Sequence, residues 1–181
     1  MTFERIEVSP KDKSFRKIVK WAIDSARCEI IVVAGELGSY GFPELRQATI
    51  DALARGVRVR VYATNAAPAD VVTEIKRLGG EIYIGEIRVK DHYLVVDRET
   101  LVVSEKAEIG RPTDVGTRKA RVYKNNPKWA QKILTFHDDL VRNDFMNRMR
   151  RESKIGAFAT AVFKMFAPSY EKPIKEPEIS A

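Results

Sequence analysis

The spacing of apolar positions along this chain changes several times, and each change marks an element. Phe15, Ile18, Val19, Ala22, Ile23 and Ala26 recur at three- and four-residue intervals, the stripe of a helix with one buried face. Ser9 and Pro10 stand before it as N-cap and first helical residue. The run 29–34, EIIVVA, is short, β-branched and apolar at both parities, as a strand covered on both faces reads. At its C-terminal end GELGSYG, 35–41, places three glycines in seven residues, where a pocket rim is expected. From Pro43, Leu45, Ala48, Thr49, Ala52 and Leu53 mark a second helix that Gly56 closes.

Val57, Val59 and Val61 then alternate with Arg58 and Arg60, a strand whose arginine face is exposed or partly covered. A third helix is expected over 69–78, broken by Gly79 and Gly80, and a third strand over 81–84, EIYI. Helix and strand alternating with short connections is α/β logic, with parallel strands joined by right-handed crossovers. The stretch 88–104, RVKDHYLVVDRETLVVS, breaks that rhythm. It reads as a strand, a polar turn over Asp97-Arg98-Glu99-Thr100 and a returning strand, an antiparallel ribbon added to the sheet. Residues 106–117 carry two glycines and a proline without periodicity and read as a loop. RKARVY, 118–123, is a last strand, and Asn126-Pro127 opens a long helix with Trp129, Ile133, Phe136, Leu140 and Val141 at helical spacing.

A chain of 181 residues suffices for one domain with a proper core, here 1–150, followed by an appendage over 151–181. In the appendage Phe158, Val162, Phe163 and Phe166 form an apolar patch, and prolines at 168, 173 and 177 end regular structure in a disordered tail. No signal pattern opens the sequence and no apolar run is long enough to span a bilayer. The single cysteine, Cys28, is expected to be a small buried residue in a cytoplasmic protein. The net charge of +7 is concentrated, because 111–154 holds 12 Lys/Arg against 5 Asp/Glu and the remainder is balanced. A basic region of this kind suits a polyanionic partner, nucleic acid among the candidates, or an acidic surface; a solvated helix face explains it equally well.

Chemistry concentrates in the ribbon. Lys90 and His92 share one face of an extended segment, Asp97 follows in the turn, and Ser104 closes the return strand. His137, in the last helix, reads as a helix-surface residue. No Cys/His/Asp/Glu spacing suggests a metal, no glycine fingerprint suggests a nucleotide, and no cofactor is expected.

The ribbon resembles the signature of the phospholipase D-like (HKD) superfamily. There a His-x-Lys pair is followed after four residues by Asp, on a strand that turns back into a second strand ending in serine. Counting back from Asp97 places Lys90 at the family's histidine and His92 at its lysine, so the pair stands in swapped order. Ser104 matches the serine, and Lys106 stands where asparagine is usual. The order of elements over residues 10–143, including the closing Asn-Pro helix, resembles the family as well. The resemblance implies a mixed α/β sheet, mostly parallel with an antiparallel ribbon, flanked by helices. It also implies a homodimer, because single-motif members bring two copies of the motif into one site.

In the resembled family one histidine attacks phosphorus, a second protonates the leaving oxygen, and lysines hold the phosphate oxygens. A lysine at the attacking position, with an ordinary pKa of about 10.4, stays protonated and is no nucleophile. His92 lies two residues away, roughly 6.6 Å along a strand. Binding tolerates the swap better than catalysis does, and Lys90, His92, Ser104 and Lys106 form a candidate anion site. Asp97 is either a simple turn residue or an orienting carboxylate of a catalytic set with His92 and Lys90. The expected function is therefore a non-catalytic, dimeric domain that holds a phosphate-bearing or other anionic ligand. A single-motif phosphodiesterase or nuclease is the alternative. A membrane-surface adaptor using Phe158, Val162 and Phe166 is a further one, and would make the protein membrane-peripheral.

Overall fold

The computed structural model describes residues 2–8, 13–35, 37, 42–64, 69–86, 89, 91–105, 118–152 and 177. Its strands are β1 (Thr2–Val8), β2 (Glu29–Ala34), β3 (Arg58–Thr64), β4 (Glu81–Gly85), β5 (His92–Val96), β6 (Thr100–Glu105) and β7 (Arg118–Lys124). The helices are α1 (Lys13–Asp24), α2 (Pro43–Ala54), α3 (Ala69–Arg77) and α4 (Pro127–Glu152). All seven strands join one sheet in the order β1-β7-β6-β5-β2-β3-β4.

The expected α/β architecture of a mixed sheet flanked by helices is present. Parallel pairing, however, is confined to β2–β3 and β3–β4, and every other pair is antiparallel. The physical reason is connectivity. Only α2 and α3 act as crossovers between neighbouring strands, whereas β5, β6 and β7 follow one another as a meander. The strand β1 escaped the sequence reading because TFERIEV interleaves three charged residues with its apolar ones. It is an edge strand paired only with β7, and an edge needs no continuous apolar run.

Strand parity sorts the core into two layers. Ile30, Val32, Val59, Val61, Leu94, Val96, Val102 and Val122 pack beneath α1, α2 and α3. Ile31, Val33, Tyr62, Tyr93, Val95, Leu101, Val103 and Tyr123 pack beneath α4, against Ala130, Ile133, Leu134, Phe136 and Leu140. Burial on both faces explains why 29–34 is apolar at every position. Gly56, with φ of +81°, follows the C-cap Arg55 of α2 in the left-handed conformation that a side chain resists.

Two expectations are corrected. Cys28 is exposed, because it precedes β2 rather than lying within it. His137 is only 5% exposed, because α4 packs on this face of the sheet and turns that position inward. Several other expectations fall outside the described residues: the cap at Ser9 and Pro10, most of the glycine loop, Lys90, Lys106, the 106–117 loop, and the patch of Phe158, Val162 and Phe166. Among the described residues no helix is long and apolar enough to cross a membrane, and no group of three potential metal ligands occurs.

Candidate functional site

The site is built on the β5–β6 hairpin. Asp97 and Arg98 have consecutive positive φ angles of 51° and 59°, and Glu99 N–H closes the turn on Val96 O at 3.1 Å. Two left-handed residues between antiparallel strands are the pattern of a type I′ turn, whose twist matches that of the strands. The turn sets the register, and the register sets His92 directly opposite Ser104. Side chains so paired have Cβ atoms about 4.5–5.5 Å apart.

His92 is half-buried and Ser104 is 3% exposed. Among the described residues the Ser104 hydroxyl has no hydrogen-bond partner. Both residues share the parity of Leu94 and Val102, which face the α1–α3 layer. His92 stands one step beyond the Tyr93–Val33 pair, at the C-terminal end of β2. The C-terminal ends of parallel strands are where open α/β sheets receive ligands. Of the residues expected in the site, His92 and Ser104 are thus brought together.

Asp97 lies at the other end of β5, where it fastens the hairpin to the sheet. Its carboxylate accepts the backbone N–H groups of Arg27, Cys28 and Glu29 at 2.9, 2.8 and 2.9 Å. Burial pushes its pKa up, but these three donors and the charge of Arg27 outweigh burial and hold it below the usual carboxylate range. The same end of the sheet carries an ionic cluster that the alternation of Arg58 and Arg60 did not reveal. Arg60, with a side chain 12% exposed, pairs with Glu29 at 3.0 Å and Asp138 at 3.1 Å, and Arg98 reaches Glu29 at 2.6 Å. Burial opposes the charge on Glu29, yet the two arginines keep its pKa low. His137 contacts Asp138 through Nδ1 at 3.0 Å. Burial and the charge of Arg60 lower its pKa, against the pull of Asp138.

A brace at the β4 edge of the sheet also left little mark in the sequence pattern. Asp144 of α4, buried, accepts the Tyr62 hydroxyl and, at 3.0 Å, the N–H of Glu86. Arg148 donates to Ile84 O at 2.6 Å and lies 5.2 Å over the Tyr83 ring, which stacks on Tyr62 at 5.8 Å. These contacts tie α4 to the end of β4, from which the chain runs on towards His92. The one sequence signal for the brace is Gly85: a Cβ there would lie 2.0 Å from Asp144 Oδ2 and 2.1 Å from the Tyr62 hydroxyl.

No family model matches this sequence, and no curated protein matches it. Solved structures do match. Nuc from Salmonella typhimurium, a phospholipase D family member, aligns at 21% identity over 77% of this chain and 94% of its own, with a TM-score of 0.59. NucT from Helicobacter pylori aligns at 8% identity over 78% of this chain and 97% of its own, with a TM-score of 0.55. The archaeal chromatin protein TrmBL2 aligns at 14% identity over 77% of this chain but only 51% of its own, with a TM-score of 0.58. With that topology and the His92–Ser104 hairpin at its centre, the fold of this chain is that of the phospholipase D superfamily.

Proposed function

We propose that this domain binds a phosphate-bearing or other anionic ligand at the C-terminal end of β2, as a homodimer, and does not turn it over. The observation that carries the binding reading is the His92–Ser104 pair. It sets a half-buried imidazole against a buried hydroxyl that has no hydrogen-bond partner among the described residues, next to the apolar pairs Tyr93–Val103 and Leu94–Val102. An unmet hydroxyl costs about 1–3 kcal/mol, which an anionic oxygen in reach of it would recover. Lys90, two residues before His92, and Lys106, two after Ser104, are the cations that stand next to the pair in the sequence. A twofold that faces the two hairpins would double that charge.

The swapped order supports binding without turnover. Lys90 occupies the attacking position and is protonated at neutral pH. His92 is displaced by roughly 6.6 Å along the strand, where about 1 Å already costs a hundredfold in rate. The basic excess over 111–154 favours a polyanion. Likeness to TrmBL2, whose structure shows a mode of DNA binding, brings nucleic acid into the set of candidate ligands. We take residues 1–150 as the working domain and 151–181 as a separate appendage. The exposed thiol of Cys28 suits the reducing cytoplasm.

A single-motif phosphodiesterase is the second reading, favoured by the near-complete overlap with Nuc, a phospholipase D family member. Hydrolysis of bis(p-nitrophenyl) phosphate by wild type and His92→Ala separates the two. The expected result is no turnover by either protein. Clear wild-type turnover that His92→Ala abolishes would establish the enzyme and end the binding-only reading. Light scattering at micromolar concentration tests the dimer, and a monomer there would remove the shared site.

A further inference from the structure

A cavity of about 580 Å³ opens along the edge strand β4 beneath α4. It lies at the opposite end of the parallel strands from His92, since Arg60 and Glu81 near the starts of β3 and β4 line it. Small-molecule sites occupy about 300–1,000 Å³, so this volume suffices for one. The walls are predominantly apolar, with Ile82 and Tyr83 on the strand side and Val141 and Phe145 on the helix side. Phe145 is 55% exposed, one of two large apolar side chains so exposed among the described residues, and it stands in this wall. A large aromatic left open on a concave apolar surface marks a place where something binds.

Charge states what the ligand must carry. Both carboxylates in the lining are engaged: Glu81 by Arg58 at 2.8 Å, and Asp138 by Arg60 at 3.1 Å. Arg60 is further held by Glu29 at 3.0 Å, and Arg142 has Asp139 within 3.5 Å. Lys76, exposed in the last turn of α3, remains as the lining cation without an acidic partner among the described residues. We propose that this cavity binds an amphipathic monoanion, an apolar chain or ring lying along Tyr83, Val141 and Phe145 with its single acidic head group at Lys76.

Isothermal titration of the full chain with decanoate, below its micelle concentration, tests the assignment. Decyltrimethylammonium of the same chain length serves as the oppositely charged control. Saturable one-to-one binding of decanoate is expected, with none of the cation. Lys76→Ala and Phe145→Ala, both at exposed positions and so compatible with folding, should each weaken decanoate by about fivefold or more. Circular dichroism and the unfolding midpoint confirm that the variants are folded. Phosphate in place of chloride at equal ionic strength should leave the affinity unchanged, because the site is remote from His92. The proposal is overturned if decanoate gives no saturable heat, if the cation binds equally well, if neither substitution changes the affinity, or if phosphate competes.

Discussion

Asp97 and Glu29 hold each other twice, once through a side chain and once through the backbone. The N–H of Glu29 donates to Asp97 Oδ1 at 2.9 Å, and the N–H of Asp97 donates to the Glu29 carbonyl at 2.9 Å. One residue closes the β5–β6 turn and the other opens β2, so the hairpin that carries His92 is fixed at the end remote from His92.

Removing the Asp97 carboxylate leaves three backbone donors without their acceptor. Asp97→Ala should cost about 1–3 kcal/mol, read as a lower denaturant midpoint at unchanged slope. The sign with pH follows from its lowered pKa. Its stabilisation is fully present above the ordinary carboxylate range and is lost as pH falls through the folded-state value. The difference between wild type and Asp97→Ala should therefore shrink in strong acid. A variant with the wild-type midpoint at pH 7 would show that the turn holds without this anchor.

His137 makes the opposite demand. Burial first, and the charge of Arg60 with it, lower its pKa below the ordinary value of 6.5 despite Asp138. As pH drops through that ordinary value the unfolded chain takes up a proton that the folded chain does not, so stability falls. Above it the residue contributes no slope. Denaturant midpoints between pH 8 and pH 5 should decline more steeply for wild type than for His137→Gln, and parallel profiles would contradict the assignment.

Gly85 is a third point of strain-free contact that a methyl group would disrupt. Its missing Cβ leaves room for Asp144 Oδ2 and the Tyr62 hydroxyl. Gly85→Ala should destabilise by about 1–3 kcal/mol, the usual cost of overpacking. Adding Asp144→Ala should cost less than the two single losses summed, because the clash and the removed carboxylate share one space. A double-mutant cycle measures the coupling, and strictly additive losses would mean that the two do not meet.

What the sequence made legible follows contact range. The stripe Phe15–Ala26 and the run 29–34 announce themselves because burial repeats with the local period. The hairpin was equally readable: Asp97-Arg98 is a turn by its own chemistry, and Ser104 stands only twelve residues from His92. Contacts joining distant residues left no such mark. Nothing in KWAQKILTFHDDLV says that His137 turns inward, because among the described residues α4 is the only helix on that face of the sheet and buries a wider arc than one apolar stripe. Arg60 reads as a surface alternation until Glu29 and Asp138 are seen on either side of it. Asp144 meets Tyr62 across 82 positions, and no local pattern encodes that pairing.

The proposed anion binding and catalysis would place contrary requirements on His92, which makes the pair decidable in one titration. A nucleophilic imidazole must be neutral at working pH, whereas one that holds a phosphate gains from its charge. A cation beside an imidazole lowers its pKa, and a bound dianion raises it. We expect nuclear magnetic resonance of His92 to show its pKa rising when inorganic phosphate is added. Lys90→Ala should weaken phosphate by roughly 1.5–3 kcal/mol, the worth of a charged hydrogen bond. Ser104→Ala should weaken it less, by about 0.5–1.5 kcal/mol, because it removes a neutral donor, and it should leave the fold intact since that hydroxyl holds no partner among the described residues. Exchanging the two residues, Lys90→His with His92→Lys, restores the order of the resembled motif and should bring phosphodiester hydrolysis above background if the remaining pocket is complete. A His92 pKa that ignores phosphate, together with unchanged affinity in Lys90→Ala, would place the anion elsewhere on the chain.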